Sequence, residues 1–216
     1  MTIITKKVTL LPAPFRGTKL TIDLPEGLTE FGIRAATPAE DATGITIDKG
    51  DGTAPLTVTE ADFPLVLNFA APGRFVIRLS DDISALQVSM ASAEDDWLKY
   101  QPLLVAVSSN AKRLHTFSGS CFFGCTNLAV VDLRDCAANM LGEMSFKDCS
   151  SLPERIDLPN ISTYEGVGSK KMPFRYCDSL QEIHFASAHE ATIRAVPSFE
   201  DFPNLGASNA TVSFDL

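Results

Sequence analysis

The sequence has no excess of positive charge: 18 Lys and Arg residues stand against 27 Asp and Glu residues, for a formal net charge of −9. A protein that binds nucleic acid through its phosphates needs Lys and Arg in excess, and so does one held at an anionic membrane surface. The balance disfavours both classes. It holds in each half, because residues 1–90 carry 8 basic against 11 acidic residues and residues 91–216 carry 10 against 16.

Long apolar runs are also missing. The densest apolar stretches, 65–71 and 103–107, are far shorter than the roughly 18 residues that a membrane-spanning helix needs. Near the N-terminus, Lys6 and Lys7 precede an apolar run as in a secretory signal, but Pro12 and Pro14 end it before the usual length of about 7–15 residues. We interpret it as a first strand and predict no membrane insertion. Either the chain is not secreted by the usual route or its signal is missing from the sequence.

Cysteine is absent from the first 120 residues, and all five cysteines lie between Cys121 and Cys177. An odd number cannot pair completely within one chain. Cys121 and Cys125 are spaced like metal ligands, but no second Cys/His pair at zinc spacing accompanies them. The sequence therefore predicts no metal and no cofactor.

Motifs of known catalytic chemistry are missing as well: we find no phosphate-binding loop, zinc-protease motif or paired carboxylates. Gly50-Asp51-Gly52 is a turn signal without the helix and lysine of a phosphate loop. Asp48 and Asp51 could hold calcium, but a solvated turn is the favoured interpretation. No enzymatic activity is predicted.

Short alternating segments fill the first half. Apolar and polar residues alternate over 20–24, 45–48 and 75–79, and turn signals separate these segments at 25–27, 50–52 and 71–73. Regular short strands with turns between them are typical of an antiparallel β-sandwich. We place its end near Met90, and the acidic residues ahead of Trp97 predict a short helix within 91–100.

A repeat fills the second half. Its frame is Phe, then Cys three residues later, then Leu three residues after that, followed by a short apolar strand. The leucines are 24, 28 and 25 residues apart, and only 14 residues of the whole chain are Phe, so four copies at one offset are not chance. Periods of this length predict a solenoid. The copies are Phe122-Cys125-Leu128, Phe146-Cys149-Leu152, Phe174-Cys177-Leu180 and a decayed Phe199-Phe202-Leu205.

Each repeat must bury its Phe, Cys and Leu against its neighbours. The framed cysteines are thus predicted to be core residues, whereas Cys136 lies outside the frame and is the thiol that we expect to be exposed. Because side chains two apart on a strand share a face, one polar residue per strand should point outward. These residues form a predicted partner-binding face: Asp132, Asp157, His184 and Ser213.

The frame resembles the BspA-type leucine-rich repeat over about residues 100–216. The segment with Asp48, Gly50 and Asp51, followed by Pro72-Gly73-Arg74-Phe75, is similar to polycystic-kidney-disease-type (PKD-like) sandwich modules. The two resemblances imply a mainly β protein: an N-terminal antiparallel β-sandwich over 1–90, then a short right-handed leucine-rich-repeat solenoid of about four coils over 91–216.

Proteins with this arrangement are implied to be non-catalytic recognition or adhesion proteins, on a bacterial surface or in a prophage particle. We therefore expect an extracellular, cell-surface or virion location, with a cytoplasmic one as the alternative, and a protein or glycan as ligand. Two other functions stay open: a cysteine-dependent hydrolase around Cys177 and His184, and a structural subunit. The subunit would form a homo-oligomer through the C-terminal edge strand over 211–216.

Overall fold

The computed structural model describes residues 14–90, 96–165, 173–186 and 210–214. In these ranges the chain is mainly β, and its second half winds into a β-solenoid of about three turns. The first-half strands are β1 (Gly17–Leu24), β2 (Glu30–Ile33), β3 (Ala35–Pro38), β4 (Ile45–Asp48), β5 (Leu56–Val58), β6 (Leu65–Asn68), β7 (Gly73–Ser80) and β8 (Ile83–Gln87). The second-half strands are β9 (Leu104–Ser109), β10 (Thr116–Phe117), β11 (Val130–Asp132), β12 (Met140–Gly142), β13 (Arg155–Leu158), β14 (Thr163–Glu165), β15 (Glu182–Phe185) and β16 (Thr211–Phe214). Short 3-10 helices span Glu60–Asp62 and Asp96–Leu103.

The three alternating segments of the first half are strands, as predicted: they lie in β1, β4 and β7. Their apolar residues, among them Leu20, Ile47 and Ile77, are fully buried. The first strand predicted for the apolar run after Lys7 lies outside the described residues, as does the decayed repeat frame at 199–205. Of the predicted helix, only the part from Asp96 onward is described.

A large sheet links the two halves. Within the described ranges it has nine strands in the order β16-β15-β13-β11-β9-β1-β7-β4-β5. Strands β9, β11, β13, β15 and β16 are parallel, one from each successive coil. Strand β1 is antiparallel to both β9 and β7. Hydrogen bonding therefore continues across the predicted domain boundary near residue 90.

A second sheet lines another side of the solenoid, in the order β14-β12-β10-β8-β3 across the described residues. It too takes one short parallel strand from each coil, and β8 of the first half pairs with β10 of the second. Strands β2 and β6 form a separate antiparallel pair. One cluster of buried side chains runs from β1 to Ala210, so both halves share a continuous core.

The third side of each coil is the Phe-x-x-Cys-x-x-Leu frame. The rings of Phe122, Phe146 and Phe174 are fully buried, with centroids 5.0 and 5.2 Å apart along the stack. This separation is close to the 4.7–4.9 Å spacing between paired strands. The Phe side chains therefore stack with the same rise as the coils.

Hydrogen bonds also connect the frames of adjacent coils. The Phe146 amide donates to the carbonyl of Pro173 at 2.8 Å. The Cys149 thiol donates to the carbonyl of Phe122, and the Cys177 thiol to that of Phe146, both at 3.0 Å. A framed cysteine therefore does more than fill space, because its thiol satisfies a carbonyl of the preceding coil.

The frame has left-handed backbone at fixed positions. Ser120 and Met144 lie two residues before their framed Phe, while Gly124, Asp148 and Tyr176 lie immediately before their framed Cys. All five have φ between +53° and +69°. This region suits glycine and tolerates Asp, but it is unusual for a bulky side chain such as that of tyrosine.

The second 3-10 helix packs the two halves together. The rings of Trp97 and Tyr100 lie against Gly32, where a Cβ would come within 2.5–2.7 Å of them. The Tyr100 hydroxyl donates to Glu30 at 3.0 Å, and the Asn127 side-chain amide donates to the carbonyl of Pro102 at 2.8 Å. The helix thus contacts β2 on one side and a solenoid turn on the other. No helix in the described part of the chain is long and apolar enough to cross a membrane.

Candidate functional site

The four residues of the predicted binding face are register partners on neighbouring strands. Asp132 is paired with Asp157, Asp157 with His184, and His184 with Ser213. For Asp132, Asp157 and His184 the repeat frame predicts this alignment, because each follows its framed Leu by four or five residues. Ser213 follows Leu205 of the decayed copy by eight residues. The sequence therefore places these side chains in one line across the parallel strands.

The same line continues into the first half, which the sequence does not reveal. Asp132 is paired with Ser108, Ser108 with Lys19, and Lys19 with Arg78, whose partner is Asp48. We call these eight residues the polar row. It crosses eight strands from β4 to β16: Asp48, Arg78, Lys19, Ser108, Asp132, Asp157, His184 and Ser213.

Exposure varies along the polar row. Asp132 is exposed, while Lys19, Ser108, Asp157 and Ser213 are half-buried. His184 departs from the expectation of an outward-pointing side chain, because only 7% of its surface is accessible. Its Nδ1 lies 2.9 Å from the Ser213 hydroxyl. Asp48 and Arg78 are half-buried as well. The row is therefore most accessible at Asp132 and least accessible at His184, which is packed among its neighbours.

Charged side chains connect the last strands of the row. The Arg155 guanidinium donates to Asp157 at 2.8 Å and to Glu182 at 3.0 Å. The Ser213 hydroxyl donates to Glu182 at 2.6 Å. Hydrogen bonding by Arg155 lowers the pKa of Asp157, while Ser213, followed by Arg155, lowers the pKa of Glu182. These carboxylates are held in the charged state by neighbours on the same face.

A shallow polar cleft of about 150 Å³ lies where the two halves meet on this face. Lys19 and Ser108 of the row line it, together with Asn110, Asp132 and Asp135. Neither Asp132 nor Asp135 has an ion-pair partner among the described residues. The cleft thus offers charges of both signs to a ligand. Nothing in the repeat indicates it, because it requires the pairing of β1 with β9.

The framed cysteines are buried, as the repeat predicts, with Cys125, Cys149 and Cys177 at most 1% exposed. The expectation of an exposed Cys136 is wrong: it is 7% exposed, and burial raises its pKa to about 11. All five thiols are free and buried.

Cys177 has the surroundings of a core residue. Burial raises its pKa to about 12, which keeps the thiol protonated at neutral pH, and the thiol donates to a carbonyl of the preceding coil. A nucleophilic cysteine needs the opposite shift, toward a thiolate. Elsewhere in the described ranges, no three His, Cys, Asp or Glu side chains come together as metal ligands would.

We predict that no thiol of the folded protein reacts quickly with a thiol reagent, because a buried protonated thiol is neither accessible nor nucleophilic. In buffer at about pH 7.5, less than one equivalent of label per chain should be incorporated within minutes. After denaturation all five cysteines should react. Mass spectrometry of the labelled peptides would identify any exception. Rapid labelling of Cys177 alone would contradict the prediction and favour the hydrolase alternative.

The turn with Asp48 and Asp51 uses its carboxylates internally. Asp48 accepts from the Gly50 amide at 2.8 Å and from Arg78 at 3.1 Å. Asp51 accepts from both the amide and the hydroxyl of Thr53, and Lys49 lies 2.7 Å away. The ammonium of Lys49 and then the hydroxyl of Thr53 lower the pKa of Asp51 to about 2. These internal partners favour a turn over a calcium site, although the Asp51 side chain is only 9% accessible rather than solvated.

We predict that Asp51→Asn lowers the free energy of unfolding by about 1 kcal/mol at pH 6, because it removes a charge-assisted hydrogen-bond acceptor. The native pKa lies below the ordinary value of 3.8, so the stabilisation is complete above about pH 4 and is lost as the pH falls through about 2. Urea denaturation at pH 6 and at pH 2.5 should show the difference shrinking. Asp135→Asn, which removes an exposed carboxylate without such bonds, is the control and should show no such pH dependence.

The last described strand, β16, is paired with β15 on one side, and no described strand pairs with its other edge.

Comparison with protein-family models, with curated proteins and with solved structures finds no match.

Proposed function

We propose that the protein is a non-catalytic recognition module that binds a partner on the outer face of its large sheet. One observation carries the proposal: the polar row crosses eight strands in continuous register. The line brings charges of both signs from both halves onto one side of the sheet. Solenoids present their strand faces to partners in the same way.

Next to the polar row, the centre of the face is aliphatic. Val130 of β11 is 55% exposed, and its register partner Ala106 is half-buried. Asp132 and Lys19 flank them on the side of the cleft. An apolar centre with a polar rim is the usual composition of a protein interface. The composition of the face therefore favours a protein as partner.

The same proposal includes the family to which each half of the chain belongs. We propose that residues 1–90 are a PKD-like sandwich module and residues 91–216 a BspA-type leucine-rich-repeat solenoid, at a bacterial surface or in a prophage particle. The one-strand-per-coil pairing and the buried Phe–Cys–Leu frame support the second assignment. Mass spectrometry of surface and virion fractions tests the location, and detection only in the cytosolic fraction would contradict it.

The binding proposal is tested by screening the native chain against arrays of extracellular-matrix proteins and glycans. Asp132→Arg reverses an exposed charge at the centre of the polar row, and we expect it to abolish the positive signals. Glu40→Arg makes the same change in an exposed loop after β3, on the second sheet, and should leave them intact. Equal loss in both variants, or none in either, would contradict a site on this face.

A further inference from the structure

We propose that the turn before Cys177 is a second binding site, which takes a glycan ending in a sugar with a single carboxylate. The site consists of Tyr176 and Arg175, with Phe123 and Lys147 beside them. It lies on the frame side of the solenoid, so it is separate from the polar row and does not rest on the function proposed for that face.

The first observation is an exposed aromatic ring in a strained position. Tyr176 is 51% exposed, and the other aromatic side chains whose exposure the structure describes are buried or half-buried. Its φ is +63°, at the repeat position that Gly124 and Asp148 occupy in the two preceding coils. A bulky residue in this backbone conformation destabilises the folded state, and because the ring is exposed, its burial does not offset that cost. Strain of this kind persists where a side chain is needed for something other than folding.

The second observation is a cation without a counterion. The guanidinium of Arg175 lies 4.7 Å from the centroid of the Tyr176 ring. No carboxylate is paired with it among the described residues. A guanidinium can bind a carboxylate through two parallel hydrogen bonds.

The neighbouring lysine differs in this respect. The Lys147 ammonium is 2.9 Å from the Asp148 carboxylate, so its charge is already balanced. It also lies 4.6 Å from the centroid of Phe123 and 5.5 Å from that of Tyr176. Lys147 is therefore engaged by Asp148 and the two rings, whereas the Arg175 guanidinium has no carboxylate partner among the described residues.

This combination selects the ligand class. An exposed tyrosine ring offers a flat apolar surface, a hydroxyl that can donate a hydrogen bond, and few side-chain rotations to restrict on binding. The C–H groups of a sugar ring pack against such a surface, and a carboxylate on the same sugar can reach the guanidinium. The net charge of −9 disfavours a polyanion. A single acidic sugar at the end of a glycan avoids most of that repulsion, which salt screens within about 8 Å.

Ligand-observed NMR on the whole chain tests the proposal, with 3′-sialyllactose and lactose as a pair that differs by the acidic sugar. A glucuronate-ended disaccharide shows whether a uronic acid serves as well as a sialic acid. We expect a dissociation constant near 1 mM for an acidic sugar, as for a small exposed site, and at least tenfold weaker binding of lactose. Raising NaCl from about 50 to 500 mM should weaken the acidic sugar's binding.

Two variants assign the binding to this site. Tyr176→Gly introduces glycine, which the first coil has at the equivalent position, Gly124. Binding should be lost, while the midpoint of thermal unfolding stays the same or rises because glycine adopts this backbone conformation without strain. Arg175→Gln should weaken binding about tenfold, and Arg74→Gln, at an exposed position on β7, should not change it.

Three results would overturn the proposal: no binding of either acidic sugar at about 10 mM, equal binding of lactose, or binding that survives Tyr176→Gly. The Asp132→Arg variant should keep the saccharide signal. Failure of the polar-row proposal is therefore distinguishable from failure of this one.

Discussion

Phe146→Ala should lower the free energy of unfolding by about 4 kcal/mol, within the range of 3–5 kcal/mol for a fully buried Phe. The ring is the middle member of the Phe stack, with Phe122 on one side and Phe174 on the other. Its removal leaves a cavity that neither neighbour can close, because stacked coils fix both backbones. Urea denaturation followed by circular dichroism measures the loss.

Phe123→Ala is the matched control for this prediction. Phe123 follows Phe122 of the stack in sequence, but its ring is half-buried and has the Lys147 ammonium over it. We expect a loss of about 1 kcal/mol, from partial burial and one exposed cation–π contact. If both variants lost the same free energy, the Phe stack would not be the main support of the coils.

Gly142→Ala should destabilise the protein by about 3 kcal/mol, the upper end of the usual range for overpacking. A Cβ at Gly142 would lie 2.3 Å from the amide nitrogen of Gly119 and 2.5 Å from the carbonyl carbon of Ser118. Both atoms are backbone of the preceding coil, so no side-chain rotation relieves the clash. The strands β10 and β12 must separate instead.

Gly119→Ala tests the same contact from the other coil. A Cβ there meets the side chain of Glu143 at 3.4 Å, which is ordinary van der Waals contact. The variant should change the free energy of unfolding by less than about 1 kcal/mol. A loss below about 1 kcal/mol in both variants would mean that the coils are not in close contact at Gly142.

The repeat frame predicts much of the solenoid because residues at a fixed spacing in the sequence occupy equivalent positions in successive coils. It predicts the strands β11, β13, β15 and β16, the burial of Cys125, Cys149 and Cys177, and the alignment of Asp132 with Ser213. In all of these, one coil repeats the geometry of the previous one. Neighbours in space are then a known number of residues apart in sequence.

Contacts of residues that lie outside the repeat frame could not be predicted in this way. Lys19 and Ser108 meet because β1 pairs with β9 across some 90 residues, and no local pattern states that register. Cys136 lies outside the frame, so its burial depends on how one loop folds back. The left-handed backbone at Tyr176 could not be predicted, since the frame has Gly, Asp or Tyr at this position.

The antiparallel pairing of β1 with β9 also gives the solenoid a direction of growth. On that side, β1 occupies the edge of β9 that another coil would need, and its strand runs the wrong way to continue the series. An additional repeat of about 25 residues can therefore be added only on the β16 side of β9. Its insertion would lengthen the array without disturbing any strand of the first half. Binding surface could thus be gained or lost in whole units while the N-terminal half stays constant.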